Sequence, residues 1–78
     1  MMLLEMATKL EVTFSQWFLL KRRGLGLTQD QIAEKLGVSP QTISNWEKDR
    51  SIPNLTIDQI KDFCEILQCS LDQIPKTS

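Results

Sequence analysis

The segment from Thr28 to Glu47 constrains the fold more than any other part of this chain, because it reads as two short amphipathic helices joined by a tight turn. Gly37 lies where the first helix should end, since a residue without a Cβ readily adopts the left-handed backbone of a helix C-terminus. Ser39 and Pro40 then suit the N-cap and the first position of the next helix. Apolar residues follow helical spacing on one face of each helix: Ile32, Ala33 and Leu36, then Ile43 and Trp46. The pattern predicts two helices at a fixed angle with polar outer faces.

Four helix starts are marked by a Ser or Thr followed three residues later by Gln, which is the pattern of a capping box. These pairs are Thr13/Gln16, Thr28/Gln31, Thr56/Gln59 and Ser70/Gln73. Apolar residues flank each start as in a hydrophobic staple, and the helix after Ser39 shares that staple through Val38 and Ile43. The starts predict five helices, at about 14–24, 29–36, 40–48, 57–67 and 71–74. No strand pattern competes, so we expect an all-α fold.

The two central helices form a helix-turn-helix pattern, and such motifs usually bind DNA. The small Ala33 at the helix contact, Gly37 at the turn and the joint spacing of the apolar positions resemble the phage repressor and Cro family, also called the XRE family. The resemblance runs from about Thr13 to Pro75. It implies a compact five-helix, lambda-repressor-like DNA-binding domain in which helices 2 and 3 form the motif.

The length fits one small domain, and the distribution of charge along the chain, rather than its sum, favours an anionic partner. We assign residues 13–75 to the domain, residues 1–12 to an N-terminal arm and residues 76–78 to a C-terminal tail. The chain carries 9 Lys and Arg against 10 Asp and Glu, for a net charge of −1, whereas nucleic-acid-binding domains are often basic. Residues 13–55 nevertheless hold six basic and four acidic residues. The half with the motif is therefore cationic, as a phosphate-facing surface requires.

The resemblance places the third helix in the major groove, with its early residues at the base edges. The base-reading candidates are Gln41, Thr42 and Asn45, because Gln and Asn can each bind adenine through a paired donor and acceptor, and Thr can place its methyl group against that of thymine. No arginine lies on this face, which favours half-sites that contain A·T pairs. The phosphate-contacting candidates are Thr28, Gln29, Ser39, Ser44, Lys48 and Arg50. Thr28 and Gln29 would offer free backbone N–H groups at a helix N-terminus. The alternative for each candidate is a side chain that is exposed to solvent and does not contact DNA.

Arg22 shares a face of the first helix with Phe14, Phe18 and Leu25, and an arginine there needs a partner. The family resemblance implies that Glu47 is this partner. The resulting structural ion pair would join the first helix to the base-reading helix, and the alternative is a solvated Arg22.

The remaining features exclude several classes of protein. Cys64 and Cys69 have no histidine and no third cysteine to complete a zinc site, so we interpret them as small, reduced core residues and expect no metal and no cofactor. The chain has no run of about 18 apolar residues and does not start like a secretory signal, so we expect a cytoplasmic protein without membrane contact. It also lacks a Gly-rich phosphate loop and an evident carboxylate pair, so we do not expect an enzyme.

The resemblance implies a sequence-specific transcriptional regulator, either a repressor or an autoregulator, that binds a palindromic operator in double-stranded DNA as a homodimer. The alternative is an antitoxin or another protein-binding module that also binds DNA. In that case a toxin would contact the acidic C-terminal half or the apolar residues of the arm, which are Met2, Leu3, Leu4 and Met6.

Overall fold

The computed structural model describes residues 12–76. They form four α-helices and one short 3-10 helix, with no strand among them: α1 (Phe14–Gly24), α2 (Gln29–Leu36), α3 (Pro40–Glu47), α4 (Ile57–Ile66) and the 3-10 helix Leu71–Gln73. The all-α prediction is confirmed, whereas the last predicted helix is a single 3-10 turn. The predicted arm, residues 1–12, lies outside the described residues except for Val12, and only Lys76 of the predicted tail, residues 76–78, is described.

Side-chain caps set where the helices begin. Complete capping boxes start α1, α2 and α4. At α4, for example, the Thr56 hydroxyl accepts from the Gln59 amide at 3.1 Å, and the Gln59 side chain accepts from the Thr56 amide at 2.9 Å. At α3 the Ser39 hydroxyl accepts from the Thr42 amide at 3.2 Å, with Pro40 in the first helical position. The caps satisfy amides that the helices themselves cannot satisfy.

Aromatic rings from α1, α3 and α4 form the centre of the core. The ring of Phe18 is fully buried, with its centroid 5.7 Å from that of Phe63 and 5.8 Å from that of Trp46. Phe14 stacks on Phe18 at 5.6 Å. The surrounding buried residues are Ile32, Ala33, Leu36, Ile43 and Leu67. Because full burial of each large apolar side chain stabilises by about 1.5–3 kcal/mol, this cluster holds α2 and α3 firmly against α1 and α4.

The sequence predicts that Cys64 and Cys69 are small, reduced core residues. In the structure both are free thiols that are only half-buried, and Cys69 packs against the core. They lie at the end of α4, where Gln68 takes a left-handed backbone with φ 52° and the Cys69 amide donates to the Cys64 carbonyl at 3.0 Å. This turn leaves the Cys69 side chain at the edge of the core. Burial raises the pKa of the Cys69 thiol, and the adjacent Cys64 raises that pKa further.

The described residues contain neither a metal-binding cluster nor a membrane-spanning helix. Within residues 12–76, no cluster of three or more His, Cys, Asp or Glu side chains is arranged to hold a metal ion. None of the helices in the same range has the length and apolar character needed to cross a membrane.

Candidate nucleic-acid interface

A three-residue turn fixes the angle between α2 and α3. Gly37 has a left-handed backbone with φ 72°, and its amide donates to the Glu34 carbonyl at 3.3 Å, while the Val38 amide donates to the Ala33 carbonyl at 3.0 Å. Apart from its chain neighbours, no atom lies within 4 Å of the position that a Cβ on Gly37 would take. Glycine is therefore needed here for its backbone conformation and not for lack of space.

The outward face of α3 carries the three predicted base-reading residues. Gln41 is exposed, and Thr42 and Asn45 are partly exposed, while Ile43 and Trp46 are buried on the opposite face. The side-chain amide of Gln41 donates through Nε2 to Oδ1 of Asn45 at 3.0 Å. Gln41 then keeps its Oε1 acceptor and one N–H donor, which is the pair of groups that matches the edge of adenine in the major groove.

The structure corrects the prediction of a free backbone N–H at Thr28. This amide donates to Oε1 of Gln31 at 2.8 Å, because the capping box that starts α2 uses it. The side-chain Nε2 of Gln29 also has an internal partner, Oε1 of Glu47 at 2.9 Å. The backbone amide of Gln29, the first helical residue, has no intrahelical acceptor and still suits an anion. Asp30 adds a carboxylate in the same turn, so the anion-binding potential of this helix end is weaker than predicted.

Arg22 and Glu47 are in direct contact. The Arg22 Nε donates to Oε2 of Glu47 at 2.5 Å and Nη2 donates to Oε1 at 3.1 Å, so the pair is bidentate. The third guanidinium nitrogen, Nη1, donates to the Leu27 carbonyl at 2.9 Å. The side chains are only 13% and 6% exposed. Together with Gln29, this network joins α1, the α1–α2 loop, the start of α2 and the end of α3.

Two cations follow the last residue of α3. Lys48 is the C-cap residue and is exposed, as is Arg50. Between them, Asp49 takes a left-handed backbone with φ 58°, and the Arg50 amide donates to the Asn45 carbonyl at 2.9 Å. This turn holds the backbone of Arg50 against the helix. Among the described residues neither cation forms an ion pair, so both charges are available to phosphate.

The hydroxyls of Ser39 and Thr42 lie 3.0 Å apart at the start of α3, on the exposed side of the turn. Ser44 is partly exposed one helical turn before Lys48. The structure thus brings Ser39, Thr42 and Gln41 together at one end of α3, and places Ser44 and Lys48 towards the other end.

Sequence reasoning missed one residue that supports this surface. The Gln59 Nε2 donates to the Leu36 carbonyl at 3.0 Å and so joins the start of α4 to the last residue of α2. The capping-box pattern identifies Gln59 as a cap. It does not reveal the second hydrogen bond, because that bond depends on where α4 crosses the end of α2.

Taken together, the turn, the buried faces and the outward polar face of α3 define a helix-turn-helix domain. Residues 19–74 match the family model described as Helix-turn-helix, which is more than half of the chain. The chain therefore belongs to this family, and the resemblance found in the sequence is confirmed.

Similar proteins agree with this assignment. The chain is 36% identical over 53 residues to the HTH-type transcriptional activator BcrR of Enterococcus faecalis, a match that covers 68% of this chain and 25% of BcrR. It is 50% identical over 36 residues to an uncharacterized HTH-type transcriptional regulator of Methanothermobacter thermautotrophicus, covering 46% of this chain and 52% of that protein. The chain thus spans about a quarter and about half of the lengths of these two curated relatives.

The fold is also similar to a solved structure, that of the P22 c2 repressor protein in complex with synthetic operator 9T in the presence of Tl+. The two chains superpose with a TM-score of 0.71 at 26% sequence identity. The match covers 87% of this chain and 100% of the repressor chain.

Proposed function

We propose that this chain is a DNA-binding transcription regulator that reads the major groove with α3. The observation that carries the proposal is the hydrogen-bonded pair Gln41 and Asn45, which lies on the outward face of a helix whose other face is locked into the core. Similarity over the full length of the P22 c2 repressor chain, which was solved with a synthetic operator, supports the same conclusion.

In this proposal Gln41, Thr42 and Asn45 contact base edges. The phosphate contacts come from Thr28, Gln29, Ser39, Ser44, Lys48 and Arg50. Thr28 contributes through its hydroxyl hydrogen, because its backbone amide is bonded to Gln31. Gln29 contributes mainly through its backbone amide, because its side-chain Nε2 is bonded to Glu47. These contacts on both sides of α3 would fix its depth and register in the groove, and the base contacts would then select the sequence.

We further propose that the chain acts as a repressor or autoregulator and binds a palindromic operator as a homodimer, through the domain formed by residues 13–75. A single small domain presents one short helix to the DNA, and a symmetric pair doubles the number of bases read.

Selection of bound duplexes from a random pool tests the proposal with the full chain. We expect enrichment of one short sequence that contains A·T pairs, present as two inverted copies. Enrichment of no sequence would contradict major-groove reading, and enrichment of a single copy would contradict the symmetric dimer.

The contact between Gln41 and Asn45 gives a sharper prediction for the selected duplex. Gln41→Ala should weaken binding to that duplex by about 1–3 kcal/mol and leave binding to a scrambled duplex almost unchanged. Asn45→Ala removes the group that orients Gln41, so the two changes together should cost less than their sum, with a coupling of about 0.5–3 kcal/mol. Binding curves for the original protein, the two single variants and the double variant measure this coupling.

The pair Gln41 and Lys48 is the control, since the two residues are seven positions apart and no hydrogen bond joins their side chains, whereas one joins Gln41 to Asn45. Its two alanine changes should be additive. Equal losses on the selected and the scrambled duplex would contradict the base-reading role of Gln41.

A further inference from the structure

An apolar groove lies on the face of the domain formed by the start of α1, the loop before α4 and the 3-10 helix. Its main lining residues are Phe14, Pro53, Ile60, Phe63, Leu71 and Ile74. Leu71 is 65% exposed although it is a large aliphatic residue, and Val12, next to the entry of α1, is 47% exposed. The groove therefore presents apolar side chains to solvent, and an apolar segment that covered them would be stabilised.

We propose that the segment 1–11 of the same chain binds in this groove. In the sequence of that segment, Leu3, Met6, Ala7 and Leu10 recur at intervals of three and four residues, which places them on one stripe if the segment is helical. Three of the four residues between them are polar, namely Glu5, Thr8 and Lys9, and the fourth is Leu4. The stripe comes before α1 in the sequence, and a helical segment with such a stripe is stabilised when an apolar surface covers it.

Connectivity favours the segment of the same chain over any other occupant. Leu10 is only four residues before Phe14, which itself lines the groove. A tether this short gives the segment an effective concentration at the groove of about millimolar, which a second chain reaches only in concentrated solution. Eleven residues also span up to about 36 Å when extended, so the length of the segment does not limit its contact with Leu71 and Ile74.

Methyl NMR of the full chain tests this proposal. We expect nuclear Overhauser contacts from the methyl groups of Leu3 and Leu10 to those of Leu71 and Ile74. In a sample that mixes isotope-labelled and unlabelled chains, these contacts should arise within one chain. Contacts found only between labelled and unlabelled chains would show a second copy in the groove and would overturn the proposal.

Two matched variants give an independent readout. Leu10→Gln removes an apolar side chain from the stripe, whereas Thr8→Gln introduces the same residue on the polar side. Leu10→Gln should shift the methyl resonances of Leu71 and Ile74 and increase their contact with a soluble paramagnetic probe, and Thr8→Gln should do neither.

The reciprocal variant Leu71→Gln keeps the fold, because Leu71 lies outside the buried core. It should shift the methyl resonances of Leu3 and Leu10. Absence of any response of the groove to Leu10→Gln, together with absence of any response of the segment to Leu71→Gln, would overturn the proposal.

Discussion

At the scale of single residues, the carboxylate of Glu47 connects more of the domain than any other side chain near α3. It accepts from Arg22 of α1 and from Gln29 of α2, and it belongs to the last residue of α3 itself. Arg22 also donates to the Leu27 carbonyl in the loop before α2. Through Arg22, the nearly buried Glu47 carboxylate therefore fixes both the orientation of α3 and the position of this loop.

Removal of this carboxylate should therefore destabilise the domain strongly. Glu47→Ala leaves the Arg22 charge buried without its partner, so we expect a loss of about 3–5 kcal/mol in the free energy of unfolding, measured by urea denaturation. The control is Glu65→Ala, which breaks the exposed pair with Lys35 and should leave the free energy of unfolding nearly unchanged. Similar losses in the two variants would mean that Glu47 has no special structural role.

Gln68 gives a prediction of the opposite sign. Its backbone is left-handed with φ 52°, a conformation that costs residues with a Cβ about 1–2 kcal/mol and costs glycine little. Gln68→Gly should raise the free energy of unfolding by about 1 kcal/mol. Gln68→Ala keeps the strain and should give no gain in the free energy of unfolding.

Gly37→Ala introduces the same backbone strain at φ 72°, with no steric clash. Thermal denaturation should therefore show that this variant is less stable than the original protein.

At the scale of secondary-structure elements, Gln59 both caps α4 and bonds to the end of α2. Gln59→Glu keeps the acceptor of the capping box and removes the donor to the Leu36 carbonyl, so it should destabilise by about 1–3 kcal/mol. Gln16→Glu makes the same change at the start of α1, where the glutamine caps an exposed Thr13. The difference between the two variants in chemical denaturation isolates the bond between α4 and α2, and equal effects would argue that this bond contributes nothing.

The elements themselves were largely predictable because their signals are local. Capping pairs such as Thr28 and Gln31, and turn residues such as Gly37, act within four or five positions of the sequence. The 3-10 turn at Leu71–Gln73 was harder to predict, since a cap pattern marks a start but the segment after it is too short to distinguish the two kinds of helix.

The candidate site was predictable only in part, because its internal hydrogen bonds join distant segments. The outward position of Gln41 and Asn45 follows from helical periodicity. The bond from the Gln29 side chain to Glu47 spans 18 residues and depends on how α2 and α3 pack, so no local pattern in the sequence indicates it. At Thr28 the two sequence signals conflicted, since a complete capping box uses the amide that was assigned to phosphate.

At the scale of the whole molecule, the net charge of −1 conceals a division between the two halves. The cations of the proposed interface lie before residue 56, and the acidic excess belongs to α4 and the segment after it. A binding surface of this kind depends on local charge, because at physiological salt the Debye length is about 8 Å and exposed charges farther apart than this are largely screened from one another.

Salt dependence tests this division directly. Each phosphate contact releases condensed counterions from the DNA, so affinity decreases as salt increases. The magnitude of the slope of log affinity against log salt is smaller by about one unit for each lost contact. Lys48→Ala and Arg50→Ala should each make the slope shallower by about this amount, and should weaken binding to selected and scrambled duplexes alike. Lys61→Ala, which removes an exposed cation from α4, is the matched control and should leave the slope unchanged. An equal change of slope in all three variants would indicate a general effect of net charge, and no change at Lys48 and Arg50 would remove both from the interface.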